Sequence, residues 1–395
     1  MKTPSARGHW RALAAVFVLL SGCTIPHAPP APQLALAPHL RLIGVATLPW
    51  GTRHAGTAVG GLSGIAYSPE RDEYLLISDD KGSDGPARVY TARIRYDAHH
   101  VEPPEFTGMH RPLLADGQPY APWWAPRAGV DVPDAEAVRW LPGARAYVWS
   151  SEGDFARGFG PRLRIQRLDG APVREVALPP RLTGPLDEDE RGPRGNGTLE
   201  GLALAPDGRT AWVSMELPLK QDGASPTPTD PGAPVRITAM DLATGTPLRQ
   251  IAYPLEAVPR RRLLPGPQLN GVSEILMDGN DHLLVLERSY SMAAGFGARL
   301  YRVDTRAGSD TRAIDALTAG NHQNVPKQLV GDLAALGIEP DNIEGMTWGP
   351  RLADGGCVLL FVSDDNFNLL QTTQFIAARY LQPPGGDGDC PATTP

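Results

Sequence analysis

Cysteine is nearly absent, with three in 395 residues at Cys23, Cys357 and Cys390. Two isolated cysteines with no neighbouring histidine do not supply a four-ligand zinc site. A membrane-spanning run is also missing, because the apolar stretch Ala12 to Leu20 is too short to cross a bilayer. Basic excess is lacking: 37 Lys and Arg against 44 Asp and Glu leave a net charge of −7. That balance argues against nucleic acid, which needs a basic face. There is no G-x-S-x-G elbow to seat a hydrolase serine, and Gly61-Leu62-Ser63-Gly64 is too short a match. Nor is there a Lys/Arg/His cluster suited to a densely phosphorylated substrate; Arg260-Arg261-Arg262 reads as a solvated connector, with anion or lipid contact as the other reading.

What is plentiful is glycine and proline, 43 and 41 residues, which favours many turns over long helices. The hydrophobic share of 42% is enough for a sizeable core.

The N-terminus carries a basic segment (Lys2, Arg7, Arg11), the short apolar run, and Leu20-Ser21-Gly22-Cys23. This resembles the lipobox of a bacterial lipoprotein signal; the other reading is an ordinary secretory signal with a chance cysteine. The resemblance implies removal of residues 1–22 and a lipid on Cys23. Thr24 in place of Asp then points to the outer membrane of the envelope, facing the periplasm. Residues 23–40 form a Pro/Ala-rich tether. In that oxidising compartment Cys357 and Cys390 are expected to pair, stapling the 381–395 tail to the body.

Between tether and tail the chain repeats. GTLEGLALAPDGRTAWVSMEL from Gly197 has relatives starting at Gly60, Asp134, Gly271 and Asp341, about 65 to 75 residues apart. Each reads as apolar strand, tight turn, apolar strand and acidic end. A third alternating strand follows (ARVYTARIRYD, PRLRIQRLDG, VRITAMDLATG, ARLYRVDTRAG, TTQFIAARYL), and a fourth in VREVALPP and PLRQIAYPL. Four antiparallel strands repeated in a circle make an all-β propeller over residues 41–380, with five or six blades. The last unit lacks a fourth strand. LRLIGVATLPW, residues 40–50, is expected to supply it and close the ring.

The acids keep step with the repeat. Ser63 to Asp79, Glu136 to Glu152 and Glu200 to Glu216 are each 16 residues apart. A hairpin places the start of one strand beside the end of the next, so each pair lies at one end of an innermost hairpin. Glu344 and Asp364 match across a longer turn; in the fourth unit Ser273 or Glu274 stands opposite Glu287. A propeller turns these ends into an acidic ring at one mouth of its channel. Asp80 joins the ring's candidates, and the long Gly/Pro/Asp-rich loops share its face. Crowded carboxylates suit a hard cation, calcium above all. The same acids can instead cap backbone N–H groups of neighbouring blades, or act directly as acid and base.

The motifs E-G-L-A-L-A-P-D-G, S-D-D-N and D-N-I-E-G-M, behind a lipoprotein signal, resemble the bacterial phytase-like family, described as having esterase-like activity of phytase. The resemblance spans nearly all of residues 41–380. It implies a propeller that hydrolyses a phosphate or other ester at a calcium-lined mouth; for such an activity the hairpin pair Glu200 and Glu216 is the first catalytic candidate. Lys81, Arg157 and Arg288 follow the acidic ends and are candidate anion contacts or solvated loop charges. Trp123-Trp124 is either buried packing or an aromatic platform for a ligand. The expected state is a monomer acting on a small-molecule ester. The alternative is a non-catalytic propeller that binds a ligand or protein.

Overall fold

The computed structural model describes residues 36–81, 87–187 and 189–384. The signal, Cys23, most of the tether and Cys390 lie outside them. Cys357 is disulfide-bonded.

Each repeat folds as its turn chemistry dictates. In the third, the strands Leu199–Leu204 and Thr210–Met215 flank Pro206-Asp207-Gly208. The Asp207 carboxylate accepts from the Arg209 and Thr210 amides, both at 2.8 Å, and Gly208 supplies φ +65°.

Five four-stranded antiparallel sheets result. From the axis outward, the first blade is Leu62–Ser68, Glu73–Ser78, Arg88–Arg93, Glu105–His110. The second is Ala135–Trp140, Ala146–Ser151, Arg162–Arg167, Pro172–Val176. The third continues from its hairpin to Val235–Asp241 and Pro247–Tyr253. The fourth is Gln268–Asp278, His282–Ser291, Gly295–Asp304, Lys327–Asp332. The fifth is Asn342–Trp348, Cys357–Asp364, Gln374–Tyr380 and, outermost, the N-terminal Leu40–Thr47. Leu40 pairs with Tyr380 and Thr47 with Gln374, so the first strand completes the last blade as expected. The blade count is five.

Innermost strands pack against the next blade all the way round, fifth against first included. They are therefore covered on both faces. Every residue of Ala135–Trp140 and of Asn342–Trp348 is buried, while Pro172–Val176 at an outer edge is mostly exposed. This is why the inner hairpins read as near-continuous apolar runs rather than alternating strands. The core lies between blades, as where Leu202, Val213 and Ile237 of the third meet Ile275 and Val285 of the fourth.

In the first, third and fifth blades the inner strands approach closely enough to require glycine after the bulged residue, at Gly64, Gly201 and Gly345. A Cβ on Gly64 would lie 2.7 Å from the Glu136 carbonyl of the second blade. On Gly201 it would lie 3.0 Å from the Ile275 amide of the fourth.

One side chain closes the axis. The Arg139 guanidinium, from the second blade, donates to the Ile65, Ile275 and Met346 carbonyls of the first, fourth and fifth. It also pairs with Glu274 at 2.7 Å. Glu274 accepts from the Leu202 amide of the third blade, so all five blades meet at this ion pair.

Candidate functional site

The acids are brought to the axis by a repeated irregularity. Each innermost hairpin carries a β-bulge, and the register skips Ser63, Glu136 with Ala137, Glu200, Ser273 and Glu344. A bulge sets two residues against one on the partner strand and re-aims a side chain. It settles the fourth unit: Ser273 occupies the bulge, while Glu274 takes the following position and pairs with Arg139.

The second strands end opposite these bulges. Leu62 pairs with Ser78, Ala135 with Ser151, Leu199 with Met215, Val272 with Glu287 and Ile343 with Ser363. The residues one step beyond are Asp79, Glu152, Glu216, Arg288 and Asp364. Glu287, matched from the sequence to this ring, instead faces away, bound to the Tyr253 hydroxyl, Asn270 Nδ2 and Lys327 Nζ. The ring is thus acidic except in the fourth blade, where Ser273 and Arg288 stand.

Above the closed axis is a cavity of about 1120 Å³, whose lining includes Asp79, Asp134, Glu136, Glu152, Glu200 and Glu344. Asp364, Lys81 and Arg288 also line it. Glu216 lies just behind, 2% exposed, with Oε1 3.0 Å from Arg288 Nη2. Burial and mutual repulsion raise these carboxyls. Glu136 goes well above its ordinary value through burial, then Glu200. Glu200 does so through burial, then Glu152 and Glu216. Asp79 and Asp364 are also held well above theirs, with burial the leading cause. Asp134 is pushed up to about 6 by burial against the pull of Lys81, whose Nζ is 2.5 Å away. Arg288 stays charged despite burial because Glu216, Glu344, Glu200 and Glu136 surround it.

The acids differ in how they are satisfied. Glu152 Oε1 accepts from the Gly197 and Thr198 amides of the third blade, both at 2.7 Å, which is blade-to-blade capping. Glu344 and Asp364 accept from Asn342 Nδ2. Glu136 and Glu200, 7% and 6% exposed, make no side-chain hydrogen bond or ion pair among the described residues. Asn342 Oδ1 and Arg288 Nε are buried without a partner as well. Those two unpartnered buried atoms are costly, and their residues line the same cavity as Glu136 and Glu200. Two all-oxygen triads fit a metal ion, Asp134-Glu136-Glu152 and Glu152-Glu200-Glu216, with ligand atoms within 4.8 Å of one another.

Other sequence candidates fall nearby or elsewhere. Asp80 does not line the cavity; it pairs with Arg88 at 2.7 Å, both buried. Arg157 chelates Asp154 and donates to the Trp123 carbonyl at 2.9 Å. The Trp123 amide donates to the Lys81 carbonyl, pinning this loop beside the acids. Trp123 and Trp124 are 54% and 65% exposed, so they are not packing residues. Asp134 and Asn342 were not singled out from the sequence. Their signal is a polar residue two before the bulge acid, in D-A-E and N-I-E.

Residues 57–367 match the model of the phytase-like family, described as esterase-like activity of phytase. No curated protein matches the chain. Among solved structures, the catalytic domain of the Coprinopsis cinerea GH62 alpha-L-arabinofuranosidase is 10% identical, with 87% of this chain and 98% of that one covered and a TM-score of 0.44. The Pseudomonas aeruginosa periplasmic gluconolactonase PpgL is 9% identical over 87% and 96%, with a TM-score of 0.35. The Xanthomonas campestris gluconolactonase XC5397 is 14% identical over 90% and 100%, at 0.33. Likenesses this distant carry no chemistry from one chain to another.

Proposed function

The chain belongs to the phytase-like family, and from that membership and its acidic cavity we propose that it hydrolyses a phosphate or other ester with the help of a bound divalent cation, calcium by preference. The observation that carries this reading is the pair Glu136 and Glu200: buried, unpartnered and flanked by Glu152, which belongs to both oxygen triads. Hard oxygen donors on irregular strand ends suit calcium. Asp134, Glu136 and Glu152 would hold the ion, with Glu200 beside it and Glu216 behind them. When bound, it supplies a Lewis acid that polarises the ester oxygen and lowers the pKa of a nearby water.

The protein's own groups do the rest. Glu200 lines the cavity and takes the proton of the attacking water on its carboxylate. Glu216 holds Arg288 through Nη2 at 3.0 Å, and Arg288 lines the cavity, so the cation of the fourth blade receives the anionic side of the ester. Lys81, fixed by Asp134, offers a second positive charge on the opposite sector. We also propose export, a lipid anchor at Cys23 in the outer membrane facing the periplasm, and action as a monomer; the lipobox motif supports the anchor.

The test is turnover of a panel of phosphate and carboxylate esters by the purified protein, with calcium and with chelator. Chelator should abolish turnover, and Glu200→Gln should lower kcat about 100-fold or more in a protein that still folds. Chelator-insensitive turnover would remove the metal. A folded protein that turns over no ester would leave a binding propeller, with Glu152 and its neighbours as interblade caps.

A further inference from the structure

The fourth blade departs from the others in two ways that meet at the cavity. It is the sector where the acidic ring is interrupted by Ser273 and Arg288. It is also taller: its first three strands run 11, 10 and 10 residues, against 6 to 8 for the corresponding strands elsewhere. The overhang begins at Arg288 and rises past the ring as the hairpin Ser289–Gly297.

This hairpin turns an apolar face to the cavity. Alternation puts Tyr290 on the same strand face as Arg288, and Tyr290 pairs across the hairpin with Phe296. Their rings lie 4.7 Å apart at 44°. Both line the cavity, together with Leu269, Ile338, Pro340 and Leu370. Leu370, from the fifth blade, is 92% exposed, and nothing in the fold requires it there. A single volume is therefore acidic at the ring, has Arg288 at the ring's edge, and carries an apolar and aromatic patch on the fourth-blade side, next to Arg260 and to polar side chains of the fifth blade such as Asn368 and Gln371.

We infer that the substrate is amphiphilic: an ester with one anionic head that reaches Arg288 and an apolar or flat body that lies on Tyr290, Phe296 and Leu370. This rests on the hydrolase reading above for the word substrate, but the binding claim stands by itself. A densely phosphorylated polyol does not fit. It would place many negative charges among the acids, with Lys81, Arg288 and Arg260 as the basic residues lining the cavity, and would leave the aromatic wall bare.

Binding is measured by calorimetry, with and without calcium, using 1-naphthalenesulfonate and methanesulfonate. They share a non-hydrolysable anionic head and differ in the apolar body. The wild-type protein should bind the naphthyl probe at least about tenfold more tightly. The preference should fall below about twofold in Tyr290→Ser/Phe296→Ser and shrink in Leu370→Ser, whose exposure leaves folding intact. Equal binding of both probes, binding of neither, or a preference that survives in both variants overturns the inference. Naphthyl binding through this wall without ester turnover would keep the inference and remove the catalysis proposed above. Ester turnover without naphthyl preference would do the reverse.

Discussion

At the level of single residues, the site was partly readable because acids at strand ends are local signals, fixed by the hairpin that holds them. The constant 16-residue spacing located Glu136, Glu152, Glu200 and Glu216. It failed in the fourth repeat, where the turn around Gly279 is one residue shorter, so the ring position falls 15 residues after Ser273, at Arg288, rather than at Glu287. A bulge adds a residue without marking it in the sequence, so spacing alone cannot tell Ser273 from Glu274. Asp80 was misplaced for a related reason: one step along a strand end sends it to Arg88 instead of the axis. Another residue supplies a test independent of the site. His110 lies 3.1 Å from the Tyr147 hydroxyl of the next blade, and burial pushes its pKa from 6.5 down to about 4. The unfolded chain binds this proton near 6.5 and the folded one only near 4, so stability contributed by the neutral ring is lost as pH falls through that window. Urea melts should show wild type losing on the order of 2–3 kcal/mol more than His110→Gln between pH 7 and 4. A difference that stays flat across this range would count against it.

Whole elements were more legible than their neighbours' contacts. Pro-Asp-Gly turns between apolar runs announce hairpins because the turn residues satisfy their own amides, as Asp207 does. The fourth strands were harder. Glu105–His110 is mostly part-exposed, and Lys327–Asp332 arrives only after a long excursion from Asp304, so neither carries a strong apolar pattern. Packing between blades left one clear trace, the glycine after the acid. Gly201 has no left-handed φ, and its constraint is the Ile275 backbone 3.0 Å from where a Cβ would stand. Gly201→Ala should therefore destabilise by about 1–3 kcal/mol through overpacking between the third and fourth blades. Chemical denaturation reads this directly, and an unchanged midpoint would mean the blades separate at no cost.

Across the whole molecule, the circle joins first strand to last and concentrates charge at one end of its axis. Eight carboxyls gather there (Asp79, Asp134, Glu136, Glu152, Glu200, Glu216, Glu344, Asp364) against Lys81 and Arg288. Like charges in a buried space oppose folding unless something offsets them. A cation bound at 100 times its Kd adds about 2.7 kcal/mol, so saturating calcium should raise the melting temperature by a few degrees and chelator should reverse it. Glu136→Gln/Glu200→Gln should melt higher than wild type without calcium and ignore its addition; differential scanning calorimetry distinguishes the two signs. The Arg139–Glu274 pair beneath the acids has a consequence for traffic. Because it seals the far side, the chamber is a cul-de-sac with one doorway. A polymer could offer it a terminus but never thread through, and whatever leaves must retreat past the next arrival. Spent product and fresh substrate therefore compete for the same threshold.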